Sequence, residues 1–154
     1  MTIAVLTRAC YPFHGLGGLE RHAFDLVRHL IARDIRVTLV TPPDGVRTTD
    51  RTDAGLRARQ VLEDPRCVRR VVPYRTFPFA GRRGTTVVDR STAYPRFGRR
   101  AGALVADLVT RGEIDLVYGL GASAPGQLTV SSRPTGCSNR SFARISACRL
   151  TACG

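Results

Sequence analysis

An apolar run, a glycine-containing loop, an amphipathic segment and a second apolar run follow one another within the first 43 residues. Residues 3–7 have the composition of a buried parallel strand, and residues 37–41 form a second strand that ends at two prolines. Two strands joined by a helix make a β-α-β unit, whose strands are parallel. The order therefore predicts an α/β fold: a Rossmann-like parallel sheet with helices on both faces.

Two amphipathic helices support this prediction. Each has apolar residues at helical spacing, at positions 19, 23, 26, 27, 30 and 31 in the first and 97, 101, 104, 105, 108 and 109 in the second. Gly112 follows the second helix and is typical of a C-cap. The apolar patterns predict strands near residues 3–7, 36–41, 67–73 and 114–118.

Three segments lack such a pattern. Residues 44–66 are predicted to be a polar connection, and residues 77–95 a long exposed loop. Residues 123–154 contain four arginines and six serines but no acidic residue. They are interpreted as a basic binding tail, a flexible terminus or the out-of-frame end of a longer gene. The sequence predicts one domain over residues 1–122 and a poorly packed, irregular tail over 123–154, with Cys137, Cys148 and Cys153 unpaired.

Composition narrows the classes of function. The chain of 154 residues has a net charge of +12, and all 24 basic residues are arginine. Such a charge permits binding to nucleic acid or to an anionic membrane, but no basic recognition helix, zinc finger or aromatic RNA-binding motif accompanies it. With no charged leader and no apolar run of about 18 residues, a cytoplasmic location is expected, with peripheral contact at the inner face of the membrane as an alternative.

The cysteines and histidines give no metal site. Five cysteines without a C-x-x-C pair do not make a zinc site or a disulfide framework, and the three histidines add no ligand spacing to them. No metal is therefore expected.

The glycines at positions 15, 17 and 18 indicate an anion site. The dinucleotide pattern G-x-G-x-x-G fails because Glu20 stands at its third glycine, and the Walker pattern fails because the chain has no lysine. Gly17 and Gly18 still leave the first turn of the helix uncovered, so its free N–H groups can face a phosphate. The alternative is that these glycines only allow close packing of loop and helix.

Residues 3–43 resemble the opening of family 4 glycosyltransferases, which are retaining enzymes of the GT-B fold. The matching positions are Gly17, Gly18, Glu20, Arg21 and His22, with Leu26 and Leu30 on the helix. The resemblance implies the N-terminal, acceptor-side half of a GT-B fold. It implies donor-phosphate binding by Gly17 and Gly18, and substrate contacts by Arg21 and His22.

The same resemblance implies the partners. These are a nucleotide-sugar donor, which is a substrate rather than a cofactor, a sugar or lipid acceptor, and a second Rossmann domain that this sequence lacks. Asp34 departs from the family's turn glycine, and residues 115–120 lack the histidine that many members carry. Catalytic residues are unknown. We therefore expect a hexosyltransferase-type domain, truncated or frameshifted, that is inactive alone.

The alternative is a non-catalytic basic module that binds nucleic acid or an anionic membrane surface. Its candidate residues are Arg69, Arg70, Arg82, Arg83, Arg99 and Arg100.

Overall fold

The structure, a computed structural model, describes residues 1–44, 49–73 and 86–121, with side chains described from residue 95 in the last range. The predicted tail at 123–154 and its three cysteines lie outside the described residues. The elements in chain order are β1 (Thr2–Thr7), α1 (Gly18–Ala32), β2 (Arg36–Thr41), α2 (Asp53–Leu62), β3 (Cys67–Val71), α3 (Thr86–Thr110) and β4 (Leu116–Leu120).

The four strands form one parallel sheet in the order β3-β2-β1-β4. Ile3 pairs with Val37 on one side and with Leu116 on the other, so β1 is a central strand. The chain moves from β1 to β2 and β3, then returns to the other side of β1 through α3. The carboxyl ends of β1 and β4 therefore flank a topological switch point, where ligands of open α/β sheets commonly bind.

Helices cover both faces of the sheet, as the sequence predicts. On one face, α1 buries Ala23, Val27 and Ile31 completely or almost completely. These three residues recur at i, i+4 and i+8, so they form one stripe that packs on Val5 and Leu39 of the sheet. Leu62 at the end of α2 joins the same cluster.

The opposite face is covered by α3. Phe97, Ala101 and Val105 are buried at i, i+4 and i+8, and they pack with Ala4 and Val40 of the sheet. Because successive strand residues point to opposite faces, Ala4 and Val5 belong to the two different clusters. The α/β prediction is confirmed.

Two predictions about connections are wrong. A helix, α2, lies inside the predicted polar connection, and α3 begins at Thr86 inside the predicted loop. The buried residues of α2 are Gly55, Ala58 and Leu62, of which two are too small to give a strong apolar pattern. Residues 77–85 of the predicted loop lie outside the described residues.

The last strand begins two residues later than predicted. Ile114 is buried but precedes β4. Asp115 accepts a hydrogen bond from the backbone N–H of Thr2 at 2.7 Å, so this residue ties the start of β4 to β1. Gly112 has a φ of 75°, which confirms the predicted left-handed C-cap.

Asp34 also has a left-handed backbone, with a φ of 59°. Asp34→Gly is expected to raise the free energy of unfolding by about 0.5–1 kcal/mol, because glycine adopts this conformation without a Cβ penalty. The ion pair that is lost, to Arg66 at 3.2 Å, is highly exposed and contributes little. Urea denaturation would measure the change. Asp34→Ala loses the same carboxylate but keeps a Cβ, so a gain from alanine would contradict the conformational explanation.

Of the helices in the described ranges, none combines the length and apolar character that crossing a membrane requires.

Candidate functional site

The loop from β1 to α1 is fixed to the rest of the sheet edge by hydrogen bonds. His14 joins this loop to the segment that follows β2. Its Nδ1 atom accepts from the backbone N–H of Cys10 at 3.2 Å, and its Nε2 atom lies 3.1 Å from the carbonyl oxygen of Pro43. An Nε2-protonated imidazole satisfies both contacts. Asp50 donates its backbone N–H to the carbonyl of Pro12 at 2.8 Å. The loop therefore has one defined conformation beside the connection that follows β2.

Phe13 is the apolar anchor of this loop. The guanidinium carbon of Arg69 lies 3.6 Å from the centre of the Phe13 ring, within the range of a cation–π contact. Arg69 also donates to Thr41 Oγ1 at 3.0 Å and pairs with Asp44, and its side chain is only 19% exposed. Arg69 is therefore an internal structural residue and not part of a basic binding surface.

The glycine pair lies at the start of α1, as predicted. Gly17 is the N-cap residue and Gly18 is the first helical residue, and both are exposed. Apart from its chain neighbours and the backbone of its own helix, a Cβ atom at Gly18 would have no heavy atom of the described residues within 4 Å, so the space beside it is open. A Cβ atom at Gly121, just after β4, would lie 3.5 Å from the Leu19 side chain. The start of α1 therefore adjoins the switch point between β1 and β4.

A carboxylate of the chain lies against this start. A Cβ atom at Gly17 would clash with the Oε2 atom of Glu20, so the Glu20 side chain folds back over the N-cap residue. A negative group is favourable there because the helix dipole is positive at its N-terminus. An anionic ligand must therefore compete with Glu20 for this position.

Of the other two predicted contact residues, one lines a cavity and the other does not. Arg21 and His22 are both exposed on the first turns of α1. Arg21 lines a cavity beside the glycine pair, whereas His22 does not line it. The predicted roles of all four residues in ligand contact stay predictions.

The cavity has a volume of about 510 Å³ and lies between the first turns of α1 and the start of α2. Its lining residues are Tyr11, Leu16, Arg21, Phe24, Asp25, Asp50, Thr52 and Ala54. Tyr11 and Phe24 meet edge to face, with ring centres 5.7 Å apart and an angle of 85° between the rings. The cavity therefore combines aromatic walls with three charged side chains.

Asp50 is the most constrained charged group of the cavity. Its Oδ1 atom accepts from the backbone N–H of Thr52 at 2.9 Å, and its Oδ2 atom accepts from the Tyr11 hydroxyl at 2.9 Å. The hydrogen bonds from Thr52, followed by that from Tyr11, lower the pKa of Asp50. Burial, followed by the bond to Asp50, raises the pKa of Tyr11. At neutral pH the site therefore contains a fixed carboxylate beside a neutral phenol.

A second cavity, of about 450 Å³, lies at the opposite edge of the sheet, where the strands begin. Its lining includes Thr2, Arg36, Arg66, Arg70 and Asp115. Arg66 is occupied by ion pairs with Asp64 and Asp34, and Asp115 accepts from Thr2. Since ligands of parallel sheets bind at the carboxyl edge, the cavity beside α1 is the candidate site.

The sequence gives little sign of the cavity residues. Tyr11 and Asp50 are 39 positions apart and meet only because the loops after β1 and β2 are neighbours in the sheet. Thr52 is the exception, because its sequence context indicates the start of a helix. It is followed by Asp53 and its side chain caps α2 by accepting from the N–H of Gly55 at 3.4 Å, which is the pattern of a helix start.

Comparisons with known proteins do not support the glycosyltransferase resemblance. No family model matches the chain, and no solved structure matches it. The chain is 29% identical over 150 residues to an S-adenosylmethionine synthase of Novosphingobium aromaticivorans. The match covers 88% of this chain but only 35% of that protein. The chain therefore spans about a third of the length of this curated relative.

These findings correct the functional prediction. The predicted identity as the N-terminal domain of a retaining, hexosyltransferase-type family 4 glycosyltransferase is wrong, because the protein found to be similar is a synthase of another kind. The assignment to half of a GT-B fold depended on that resemblance and is therefore withdrawn. The prediction of a Rossmann-like α/β sheet did not depend on it and is confirmed by the structure.

The alternative of a basic binding module is not supported either. The similar protein gives no indication of it. Two of its candidate arginines make contacts within the chain: Arg69 packs on Phe13, and Arg100 donates to the carbonyl of Pro73 at 2.8 Å. Arg82 and Arg83 lie outside the described residues.

Proposed function

We propose that this chain is a nucleotide-binding α/β domain that holds a phosphate group at the start of α1. One observation carries the proposal: an exposed glycine pair opens a helix directly beside the topological switch point of a parallel sheet. The ligand class is a small phosphorylated compound of nucleotide type, with Gly17 and Gly18 as its phosphate contacts.

The proposed interaction depends on the backbone. The first N–H groups of a helix have no carbonyl partner within the helix, and Gly17 has no side chain with which to cap them. These groups and the helix dipole attract an anion. Each such hydrogen bond contributes about 0.5–1.5 kcal/mol net, so two or three of them at an exposed site support weak binding. Arg21, one turn further along the helix, adds a positive charge.

The similarity to an S-adenosylmethionine synthase adds S-adenosylmethionine to the compounds whose binding should be measured. S-adenosylmethionine contains a nucleoside but no phosphate, so it probes a nucleoside site independently of the glycine pair. ADP contains both parts, and inorganic pyrophosphate contains only the phosphates. The three compounds therefore separate the two parts of a nucleotide site.

Gly18→Val is expected to weaken binding of pyrophosphate and ADP by about tenfold or more, measured by isothermal titration calorimetry. A valine side chain at position 18 would occupy the open space beside the helix N-terminus and block approach to the N–H groups. Loss of one or two such bonds corresponds to about a tenfold change. The fold should survive, because the added Cβ meets no neighbouring element within 4 Å in the part of the chain that the structure describes.

Gly102→Val is the matched control. Gly102 lies within α3, on the other face of the sheet, and a Cβ atom there also meets nothing outside its own helix within 4 Å among the described residues. This variant should bind pyrophosphate like the wild type. If both variants lose affinity equally, or if the wild type binds neither pyrophosphate nor ADP, the phosphate site does not exist.

Glu20→Gln provides a test in the opposite direction. Removing the negative charge that lies over Gly17 should strengthen pyrophosphate binding several-fold, because the ligand no longer has to displace a carboxylate. An unchanged or lower affinity would show that the phosphates do not bind beside Gly17.

A further inference from the structure

We propose that the cavity between α1 and α2 binds a flat aromatic ring with an exocyclic amino group, as in the base of an adenine nucleotide, and that Asp50 accepts a hydrogen bond from that amino group. This inference deepens the proposed function, since it names the base that accompanies the phosphate.

The size and position of the cavity suit a nucleoside. Its volume of about 510 Å³ falls within the usual range of small-molecule sites, about 300–1,000 Å³. Leu16 and Arg21 both line it; Leu16 directly precedes the glycine pair and Arg21 follows it three positions later. The cavity therefore adjoins the proposed phosphate position, so one nucleotide can contact both.

The walls of the cavity suit an aromatic ring. Leu16 is 56% exposed, and a ligand in the cavity would cover it. Phe24 is half-buried and Tyr11 meets it edge to face, so the two rings form a rigid corner. A planar base packed on Leu16 and Phe24 gains the favourable burial of apolar surface.

The charges of the cavity select a ligand that donates hydrogen bonds. Two carboxylates, Asp25 and Asp50, and one guanidinium, Arg21, line it, whereas the whole chain has a net charge of +12. Because Asp25 is already paired with Arg28, Asp50 is the carboxylate through which the lining favours amino groups over phosphates and carbonyl oxygens. The phosphates therefore belong at the start of α1 and the amino-bearing ring belongs in the cavity.

Asp50 is a better acceptor than Asp25. Both oxygens of Asp50 are fixed by hydrogen bonds from Tyr11 and Thr52, and each carboxylate oxygen can accept a second bond. Asp25 is 53% exposed and forms an ion pair with Arg28 at 3.3 Å. A preorganised acceptor loses less side-chain entropy on binding, which favours Asp50.

Calorimetric titration of the full chain with adenosine and with purine riboside tests the inference. Purine riboside is the same nucleoside without the 6-amino group. The wild type should bind adenosine about tenfold more tightly, as expected for loss of one hydrogen bond to a charged acceptor. Asp50→Ala, which removes both acceptor oxygens, should remove this preference, and Asp25→Ala, the matched control, should retain it.

The outcomes separate the two proposals. Equal binding of adenosine and purine riboside by the wild type, or no binding of either, overturns the inference without any need for a variant. Neither nucleoside contains phosphate, so pyrophosphate titration reports on the glycine pair alone. A preference for adenosine with no affinity for pyrophosphate would support the cavity site while overturning the proposed phosphate site.

Discussion

Replacing Phe97 with alanine is expected to lower the free energy of unfolding by about 3–5 kcal/mol. Phe97 is 1% exposed and is the largest of the fully buried side chains in the described part of the chain. It packs from α3 onto Ala4, Leu6 and Val40 of the sheet. Its truncation leaves a cavity between helix and sheet, because the backbone on both sides is fixed by regular structure.

Urea denaturation followed by circular dichroism would measure this loss. Since domains of this size are stable by about 5–15 kcal/mol in total, the variant should unfold at a much lower urea concentration. Leu56 on α2 offers a control, because it is 52% exposed and its replacement by alanine should change stability by about 0.5 kcal/mol or less. Similar effects of the two substitutions would mean that α3 does not pack on the sheet.

The fold was predictable where residues repeat with a clear period. The stripe of α1 and the apolar run of β1 are local patterns, and together they define a β-α-β unit before any tertiary contact is known. The helix α2 was not predicted from the sequence, because its buried face includes Gly55 and Ala58, whose small side chains contribute little to an apolar pattern. Periodicity detects large buried residues, so it misses helices that pack closely through small ones.

The site was predictable only in its local part. Gly17 and Gly18 form a motif within one turn of chain, and the structure has them at the start of α1 as expected. The cavity depends on Tyr11, Phe24 and Asp50, whose proximity follows from the neighbouring positions of β1 and β2. No short motif contains this information, because it arises from the order of strands in the sheet.

The difference between a local sequence pattern and the tertiary arrangement also explains why the family prediction was wrong. Glycines before an amphipathic helix, with Glu20 in its first turn, satisfy requirements that any strand-loop-helix unit with a sharp turn and a positive helix dipole shares. Glu20 folds over Gly17 and so has a local structural reason to be there. A motif with a sufficient local explanation is weak evidence for a particular enzyme family.

Cys10 is expected to be alkylated about 1000-fold more slowly in the folded protein than in the unfolded chain at about pH 8. Burial raises the pKa of Cys10 from 9.0 to about 12, against a smaller opposite effect of Arg69. Only the thiolate reacts, and its fraction at this pH falls from about one tenth to about one ten-thousandth. Burial also raises the pKa of Cys67, to about 11, so Cys67 should be slowed about 100-fold.

Iodoacetamide labelling followed by peptide mass spectrometry would measure both rates, with the same reaction in concentrated urea as the reference.

The same pKa values predict a loss of stability at high pH. Well below pH 9 both thiols are neutral in the folded and the unfolded chain. Between about pH 9 and 11–12 the thiols of the unfolded chain ionise while those of the folded chain stay neutral, so the free energy of unfolding should fall as the pH rises through this range. Rapid labelling of Cys10 in the folded protein would show that the loop between β1 and α1 opens to solvent, and it would remove the rigid wall on which the proposed nucleoside cavity depends.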